Sequence, residues 1–593
     1  MKKVLLSLAC LAVVVGGVSA AGAAPRATSA SAKKPTGNPW GVTVVRFTKG
    51  TTLAQMQAAV SAAGGGGVIT DLSKINRVTV APGAAGASAF IAKIKINKSV
   101  LGAWVERALT DVLPDASGAG AAGNNQPALG NPGATTPPDP FHEASTIFGL
   151  DTQAEGQQWD DKRMSVNGAW ATTTGDRTVR VAVIDTGLQG SHKEILPNYD
   201  NQNSTNTIPC NTMTREFGPG VHKIIGDCSS EDKDGHGTWV SGRIVGAANG
   251  FGSNGIAPNA QVMGVKVLAV GFGGFTSWIV DGMIHACDAG ADIINMSLGG
   301  YDNPAVAADA ADYLLWVDAV NYCRSKGTAI FASAGNEHVR INRVNMTVGG
   351  TPLTGVGLVD SGNEGIASVF PGDPVSDYDL RGWLELPAGV PGVIMVSATN
   401  NTVMPGAPAT FGWTAPALGS KDQLTYYSNY GSRIDLSAPG GARKFNIPRY
   451  DGGLNDVLRD GWGIIGPTDP TGDLCATAGD IGTFACFKVT GAGFAFLQGT
   501  SMSSPNAAGV GTLVLAARPA LQGNPDGLLA RLRATARTNM TNFMGPNDPA
   551  NTSDSTLNGP CPTGWCHIDR NHPISNADAY GAGIVNAAAA VAP

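Results

Sequence analysis

Short, almost purely apolar runs alternate with longer segments rich in small residues along most of the chain. The runs have the composition of strands that are buried on both faces of a sheet, and the segments between them have the length and spacing of helices. We predict strands at 179–184, 262–268, 291–296, 328–332, 393–398, 434–436 and 494–497, and helices at 276–289, 305–325 and 506–517. The alternation predicts an α/β fold in which a mainly parallel sheet is covered by helices on both faces.

A smaller unit with a different pattern precedes this sheet. Strands and helices are predicted in the order β-α-β-β-α-β, at 41–47, 52–63, 68–72, 78–81, 87–96 and 100–110. A linker rich in Gly, Ala, Asn and Pro follows at 115–140. Since 593 residues are too many for one ordinary core, we divide the chain into a small domain at about 40–112, within the segment 25–114, and a large domain at 141–593. Two stretches of the large domain, 338–392 and 444–485, are interpreted as insertions.

The first 24 residues have the three parts of a secretory signal peptide. Two lysines are followed by the apolar run Val4–Val15 and then by small residues up to Ala23. The run is too short to span a bilayer, and no later segment is apolar over a sufficient length. We expect residues 1–24 to be removed and the mature protein to be secreted, without a membrane anchor.

The charge balance argues against one class of partner and favours an association within the chain. A net charge of −6 gives no basic surface for a nucleic acid. Residues 25–139 have a net charge of +6, whereas residues 140–593 have a net charge of −14. The opposite signs favour binding of the N-terminal unit to the large domain. A basic, solvated domain without a role in activity is the alternative.

Eight cysteines remain after the signal peptide. They are Cys210, Cys228, Cys287, Cys323, Cys475, Cys486, Cys561 and Cys566. An even number in an exported chain predicts disulfide bonds. The sequence does not fix their pairing, but pairing of nearest neighbours closes short loops and leaves no thiol free. In that scheme the bond between Cys287 and Cys323 joins two consecutive helices.

Three short motifs contain the residue types of a nucleophilic serine site. Gly499-Thr-Ser-Met-Ser-Ser-Pro505 places Ser501 between an apolar strand and a helix, where free backbone N–H groups favour an anion. A serine hydroxyl needs a base to take its proton, and His236 lies between two glycines at the start of another helix. Asp185, at the end of an apolar strand, can orient the imidazole. The chain order Asp, His, Ser is one of the known orders of this triad.

With two further blocks, Asn295–Gly300 and Ser333–Glu337, these motifs make the chain similar to the subtilisin-like serine proteases, or subtilases. The likeness runs from about Gln157 to the end of the sequence. It implies a serine endopeptidase that works through an acyl-enzyme. It also implies a self-processing precursor, in which a small ferredoxin-like propeptide acts as an intramolecular inhibitor. Trp239 and Asn506 depart from the family pattern, which usually has His at both positions.

The resemblance assigns further residues of the site. The Asn336 side chain and the Ser501 backbone N–H are expected to bind the oxyanion. The residues expected to contact the substrate are Ser297, Leu298, Gly299, Ala334, Gly335 and Glu337. The first three form a backbone edge that pairs with a peptide in extended form. The next two form a wall of the specificity pocket, and the glutamate lies near its floor.

Calcium is a further implication of the resemblance. In the family, a carboxylate soon after the catalytic Asp and an Asn in a loop after the catalytic His share a calcium ion with backbone carbonyls. The matching positions are Glu194 and Asn249, with Gln158 as a third candidate. Oxygen ligands of this kind suit Ca²⁺. Simple solvation of these side chains at the surface is the alternative.

Two other functions are compatible with parts of the sequence. An aspartic-type protease would use Asp185 and Asp360, which both lie in Asp-Ser/Thr-Gly turns, but this mechanism leaves His236 and Ser501 without a role. A non-catalytic secreted binding protein on a protease frame would be expected to lack a residue of the triad, and none is missing. The sequence therefore predicts a secreted, monomeric serine endopeptidase that acts on proteins or peptides.

Overall fold

The computed structural model describes residues 41–109, 158–209, 214–216, 222–224, 229–270, 273–367, 378–401, 422–442, 463–476, 486–540 and 574–593, apart from positions 82 and 426. The predicted signal peptide, the linker at 115–140 and the cysteines at 210, 228, 561 and 566 lie outside these residues.

The N-terminal unit is a four-stranded antiparallel sheet with the strand order β2-β3-β1-β4. Its elements are β1 (Thr43–Phe47), α1 (Leu53–Ala62), β2 (Val68–Leu72), β3 (Arg77–Val80), α2 (Gly86–Ile94) and β4 (Val100–Val105). They follow the order that the sequence pattern predicts. Val45 and Phe47 pack with both helices in a separate core, whereas Val44 and Trp104 belong to the core of the large domain. One face of this small sheet is therefore docked on the rest of the protein.

A seven-stranded parallel sheet forms the centre of the large domain, with the order β21-β20-β14-β12-β6-β10-β7. The strands are β6 (Arg180–Asp185), β7 (Thr205–Asn206), β10 (Gln261–Lys266), β12 (Ile293–Met296), β14 (Ala329–Ser333), β20 (Ile394–Thr399) and β21 (Leu436–Pro439). In β6, Val181 and Val183 face one hydrophobic core, and Ala182 and Ile184 face the other. This alternation explains why the strand is apolar throughout.

Helices cover both faces of the sheet, as the sequence predicts. The helices of the large domain are α3 (Trp159–Arg163), α4 (Val166–Trp170), α5 (His236–Val245), α6 (Thr276–Asp288), α7 (Ala307–Ser325), α8 (Asp473–Ala476), α9 (Thr500–Ala517), α10 (Pro525–Thr535), α11 (Asn576–Tyr580) and α12 (Ala587–Val591). Helices α5 and α9 pack on one face, and α6 and α7 pack on the other. The N-terminal unit lies against α6 and α7.

The two predicted insertions contain smaller antiparallel sheets. The first insertion contributes a long hairpin that joins a four-stranded sheet with the order β13-β19-β16-β15. The second contributes a strand to a three-stranded sheet with the order β22-β24-β23. The strands outside the central sheet are β5 (Ala108–Leu109), β8 (Thr214–Glu216), β9 (His222–Ile224), β11 (Gly274–Phe275), β13 (Gly300–Asp302), β15 (Ile341–Val348), β16 (Thr351–Val359), β17 (Ile366–Ala367), β18 (Tyr378–Asp379), β19 (Leu384–Leu386), β22 (Ile464–Thr468), β23 (Cys486–Val489) and β24 (Ala492–Leu497).

The start of α9 differs from the sequence prediction. A helix was expected from residue 506, after the proline, but α9 begins at Thr500 and contains Pro505. Proline has no N–H to donate to the carbonyl four residues earlier, which belongs to Ser501. The Ser297 hydroxyl donates to that carbonyl instead, over 2.8 Å. The long-range bond replaces the one that proline removes, and it places Ser501 in the first turn of the helix.

Disulfide bonds join Cys287 to Cys323 and Cys475 to Cys486. Both pairs are the nearest-neighbour pairs that the sequence favoured. The first bond links α6 to the last turn of α7. It therefore ties together the two helices that cover one face of the central sheet.

Replacing both Cys287 and Cys323 by Ala is expected to lower the thermal midpoint of unfolding. Removing a native disulfide from an exported domain commonly costs about 2–5 kcal/mol, which is comparable to the stability of a whole domain. Calorimetry of the purified double variant measures the change, with wild type in the same buffer as the reference. Detection of free thiols at both positions in the native protein would contradict this account.

Candidate active site

Asp185 and His236 form a buried pair at one edge of the central sheet. Asp185 is the last residue of β6, and His236 is the first residue of α5. Asp185 Oδ1 lies 2.8 Å from His236 Nδ1, and both side chains are fully buried. With the proton on Nδ1, the imidazole donates to the carboxylate and leaves Nε2 as an acceptor. His236 Nε2 has no hydrogen-bond partner among the described residues.

Nearby carboxylates raise the pKa of His236. Burial is the largest single effect and lowers this pKa, but Asp185, Asp234 and Asp232 together outweigh it and raise the pKa above its ordinary value. Asp234 adds to this effect, and its carboxylate also accepts the His236 backbone N–H over 3.1 Å. The imidazole is therefore a stronger base than an isolated histidine.

A buried aspartate that sequence reasoning missed organises the turn before the histidine. Asp232 Oδ1 accepts from the Thr186 hydroxyl and from the backbone N–H groups of Asp234 and Gly235. Its Oδ2 accepts from the backbone N–H and the hydroxyl of Thr238. Asp232 thus ties the end of β6 to the start of α5. A carboxylate just before a helix is the signal that could have indicated it.

Ser501 lies in the first turn of α9, after the buried strand β24. Its hydroxyl donates to the Ser297 carbonyl over 3.3 Å. Helix α9 packs against α5, which carries the histidine. The N–H groups of a first helical turn have no acceptor within their own helix. This geometry can supply a hydroxyl together with backbone donors for a negative charge.

Asn336 follows β14 and contacts the start of α9. Its Oδ1 accepts from both the backbone N–H and the hydroxyl of Thr500, each over 2.9 Å. These two bonds fix the side-chain oxygen, so the Nδ2 donors point away from Thr500. The Thr500 hydroxyl also accepts from the Gly335 backbone N–H over 3.2 Å. The amide is therefore held by the helix that carries Ser501.

The predicted substrate edge and pocket wall are adjacent segments of two neighbouring strands. Ser297, Leu298 and Gly299 follow β12, and Ala334 and Gly335 follow β14, which pairs with β12. The Leu298 carbonyl accepts from the Ser333 hydroxyl over 3.4 Å. Gly335 has a φ of +98°, and a Cβ at this position would meet the Asn429 amide. A side chain is thus excluded here by both conformation and space.

Glu337 lies beside this glycine. Its Oε2 accepts from the Tyr301 hydroxyl over 2.5 Å and from Asn429 Nδ2 over 3.1 Å. A Cβ built at Gly335 would be 2.6 Å from the same oxygen. Burial raises the pKa of Glu337, and these hydrogen bonds oppose the shift. Tyr301 and Asn429 were not identified from the sequence, because each lies far from Glu337 along the chain.

Trp239 and Asn506, the two departures from the family pattern, are buried. Their hydrogen bonds do not involve His236 or Ser501. Trp239 Nε1 donates to the Ala495 carbonyl over 2.9 Å. Asn506 Nδ2 donates to the Pro439 carbonyl and to Asp160. Neither side chain replaces a group of the predicted triad. This agrees with the interpretation that both substitutions affect packing.

The three candidate calcium ligands all contact the loop at 249–254. Glu194 is fully buried, and its Oε1 accepts from the Ser253 backbone N–H over 3.3 Å. Asn249 Oδ1 accepts from the Phe251 N–H over 3.0 Å. Gln158 bonds to both the backbone N–H and the carbonyl of Asn254. The described part of the chain contains no cluster of three or more His, Cys, Asp or Glu side chains placed to bind a metal ion.

Gln158 lies next to a buried guanidinium that is bonded to two aspartates. Arg243 donates to Asp160, Asp161 and the Asn254 carbonyl over 2.6, 2.9 and 2.9 Å. Gln158 Nε2 donates to the same carbonyl and to Asp161. The two carboxylates balance the positive charge of the guanidinium, so this cluster does not rule out Gln158 as a calcium ligand. Glu194 and Asn249 remain compatible with calcium, since side-chain oxygens suit this ion.

The two carboxylates of the aspartic-type alternative have separate environments. Asp185 bonds to His236 at the end of β6. Asp360 follows β16 in another sheet, and it accepts from Asn342 Nδ2 and the Gly362 backbone N–H. The carboxylates share no hydrogen bond in the described residues. An aspartic protease needs both groups at one site, so this geometry does not support that alternative.

Comparison with known proteins agrees with the fold and with the motifs. The model of the subtilase family matches residues 176–559. The chain is similar to a thermophilic serine proteinase of Bacillus sp. (strain AK1), with 25% identity over 365 residues, which are 61% of this chain and 59% of that protein. It is also similar to the halolysin-like extracellular serine protease Nep of Natrialba magadii, with 26% identity over 370 residues, which are 62% and 46% of the two chains. The matched region is less than two thirds of the length of these relatives.

Solved structures show the same fold at lower sequence identity. The epidermin leader peptide processing serine protease of Staphylococcus aureus has a TM-score of 0.56 and 17% identity, over 93% of this chain and 97% of that one. Fervidolysin of Fervidobacterium pennivorans has a TM-score of 0.52 and 19% identity, over 95% of this chain and 62% of that one. Within the described residues, no helix combines the length and the apolar character that crossing a bilayer requires. The family model covers more than half of the sequence, and the chain belongs to the subtilase family.

Proposed function

We propose that the protein is a serine endopeptidase in which Asp185, His236 and Ser501 form the catalytic triad. The observation that carries this proposal is the buried contact of 2.8 Å between Asp185 Oδ1 and His236 Nδ1, which leaves Nε2 as the base. His236 takes the Ser501 proton as the hydroxyl attacks a peptide carbonyl, and returns it to the leaving amine. The product of the first step is an acyl-enzyme, which water then hydrolyses.

The oxyanion and the substrate backbone have their own binding groups in this proposal. Asn336 Nδ2 and the Ser501 backbone N–H donate to the oxyanion, as the bonds from Thr500 to Asn336 Oδ1 favour. An extended peptide pairs as an added strand with the edge at Ser297–Gly299. The peptide backbone then makes most of the hydrogen bonds. Unfolded segments of proteins are therefore the expected substrates.

Labelling with a serine-directed sulfonyl fluoride tests the proposal. The reagent is expected to abolish hydrolysis of denatured casein and to modify Ser501, as identified by peptide mass spectrometry. Full inhibition requires one modified serine per molecule. Hydrolysis that persists after stoichiometric labelling of Ser501, or label on another residue only, would contradict the triad.

We infer that the N-terminal unit is the inhibitory propeptide of this enzyme. Its strand β5 pairs antiparallel with β11, directly before α6. The Glu106 carboxylate accepts from the Ser277 backbone N–H over 2.5 Å in the first turn of that helix. Three cation–carboxylate pairs cross the contact with α6 and α7, namely Lys74–Asp288, Arg77–Asp318 and Arg107–Asp309. Basic residues of the unit meet acidic residues of the large domain, as their opposite net charges favour.

Secretion is part of the same proposal. The predicted signal peptide and the disulfide bonds both suit an oxidising compartment, and one relative is described as extracellular. Mass spectrometry of the protein recovered from culture medium is expected to give a chain that starts near residue 25 in the precursor and near residue 115 or later after processing. A cell-associated chain with an intact N-terminus would contradict this.

The pH profile of activity is expected to have its acid limb above about pH 6.5, the ordinary pKa of histidine. The base must be neutral before it can accept the serine proton, so activity rises as His236 loses its proton. The pKa of His236 is raised by Asp185, and the limb therefore shifts to higher pH. Measurement of kcat/KM against pH with a neutral peptide checks this. A limb below pH 6 would mean that another group is titrating.

We propose a calcium site at Glu194 and Asn249, with Gln158 as a third candidate ligand. If the ion binds the folded state, removing it lowers stability by mass action. A chelator is expected to lower the thermal midpoint of the wild type and to have no effect on Glu194→Gln, whose neutral side chain is a weaker ligand. Equal midpoints of the wild type with and without chelator would contradict a calcium site here.

A further inference from the structure

A second buried carboxylate lies beside the predicted specificity pocket, and no sequence motif indicated it. Glu385 is in β19, whose pairing with β13 sets it directly opposite Tyr301. A Cβ built at Gly299 lies 3.9 Å from Glu385 Oε1, and one built at Gly335 lies 2.6 Å from Glu337 Oε2. Gly299 of the predicted substrate edge and Gly335 of the predicted pocket wall therefore each lie beside a carboxyl group.

Neutral donors hold the first of these carboxylates. Tyr301 and Asn429 both donate to Glu337 Oε2. Asn429 Nδ2 also contacts the Tyr301 hydroxyl and the Ala334 carbonyl, each over 2.7 Å. These contacts fix the position of the carboxylate without neutralising its charge. Glu337 as a whole residue is partly buried.

The second carboxylate also lacks an ion-pair partner. Glu385 is buried and accepts a backbone N–H. The cation that acts on it is Arg433, but Arg433 Nη1 donates to Asp435 over 2.6 Å. Over the residues that the structure describes, neither Glu337 nor Glu385 forms an ion pair with Lys, Arg or His. Two acidic groups on opposite sides of one pocket are left without a cation.

The electrostatics agree with this geometry. Burial raises the pKa of Glu385 well above its ordinary range; Arg433 opposes the shift and Glu337 adds to it. Burial likewise raises the pKa of Glu337. Tyr301 and Tyr313 are the other titratable groups that face the pair. A positive charge between the carboxyl groups would relieve their mutual repulsion and stabilise their ionised forms.

We propose that the pocket between Gly299 and Gly335 selects a basic side chain, Lys or Arg, on the residue that precedes the scissile bond. Glu337 and Glu385 are then the specificity-determining residues, one on each side of the substrate cation. Gly299 and Gly335 place no side chain of their own beside the two carboxyl groups, and a carboxylate binds the charged end of a Lys or Arg side chain. This inference rests on the proposed peptidase function and adds the substrate class.

The proposed preference for a basic side chain can be compared with the sequence at which the precursor would be cut. No Lys or Arg occurs between Ala108 and Asp161, so the junction that follows β5 offers no basic side chain to the pocket. Self-processing is an intramolecular step in the proposed function, and its high effective concentration makes a favourable side chain less necessary. The preference is therefore expected for substrates in solution.

Peptides that differ only before the scissile bond test the proposal with the mature enzyme. Lysine and norleucine have similar shapes, but only lysine is charged. At pH 8, kcat/KM is expected to be at least about 30-fold higher for the lysine peptide, since breaking a buried charge pair has effects of this size. Glu385→Gln and Glu337→Gln should each reduce this ratio, because each removes a negative charge that attracts lysine and not norleucine. Glu364→Gln, the same change elsewhere in this insertion, is the matched control and should keep the ratio.

The ratio is also expected to rise with pH. A carboxyl group attracts a cation only when it is ionised, and the raised pKa of both groups delays ionisation. A measurement on the wild type alone therefore tests the proposal even if a variant does not fold. If both peptides are cleaved equally well at pH 8, the basic preference is wrong and the peptidase proposal stands. If neither peptide nor denatured casein is cleaved, the peptidase proposal itself is wrong.

Discussion

Ser501→Ala is expected to abolish proteolysis, with a loss of about 10⁶ in kcat, the size of effect seen when a triad serine is removed. In the proposed triad, the Ser501 hydroxyl attacks the peptide carbonyl, and Asp185 and His236 act only through it. Self-processing should stop as well. The purified variant is therefore expected as a precursor that retains residues 25–114, and both casein hydrolysis and intact mass can be measured on one preparation.

A neighbouring serine provides the control for this variant. Ser503 is in the same turn of α9, and its hydroxyl donates to the Thr500 carbonyl over 2.8 Å. Ser503→Ala removes a buried hydroxyl from the same turn, but not the proposed nucleophile. It should be processed and should cleave casein. Normal maturation of purified Ser501→Ala, with no other protease present, would refute the assignment of the nucleophile.

The parallel sheet could be predicted because its strands carry a local signal. Residues 181–184 are all apolar, since Val181 and Val183 contact one core and Ala182 and Ile184 contact the other. The elements of the small N-terminal sheet also carry a local pattern, and they begin and end within a few residues of the predicted positions. Such patterns depend on neighbours in sequence. They require no knowledge of distant contacts.

The start of α9 shows where local reasoning fails. Pro505 is a signal against a helix that continues through it, and the sequence prediction followed that signal. Ser297, distant in sequence, supplies the missing donor to the Ser501 carbonyl. A local rule was overridden by one tertiary hydrogen bond. The position of the proposed nucleophile depends on this bond, since it helps to set Ser501 in the first turn of the helix.

The residues of the candidate site also fall into two groups, those that a local motif indicates and those that only long-range contacts reveal. Asp185, His236, Ser501 and Asn336 lie in short motifs, so their residue types and order were sufficient to select them. Asp232, Tyr301, Asn429 and Glu385 are joined to the site only by long-range contacts. Nothing in the residues beside them indicates those contacts. Supporting residues of this kind become visible only when the strands are paired and the loops are placed.

Asn336→Leu is expected to fold and to cleave slowly, because it removes one of two donors to the oxyanion and keeps the triad. The loss of one such donor reduces kcat by about 10²–10³. KM should change little, since the charge on the oxygen develops only in the transition state. Steady-state kinetics with a single peptide separates the two parameters, and a melting curve shows whether the variant is folded.

Asn336→Asp separates the catalytic role from a structural one. Aspartate has nearly the same shape and keeps an oxygen that accepts from the backbone N–H and the hydroxyl of Thr500. It replaces the Nδ2 donors by a second oxygen, whose charge repels the oxyanion. The variant should therefore melt close to the wild type and have a kcat at least as low as that of Asn336→Leu. Wild-type kcat in this variant would mean that Asn336 only anchors the turn, and that the oxyanion is held by the backbone N–H of Ser501 alone.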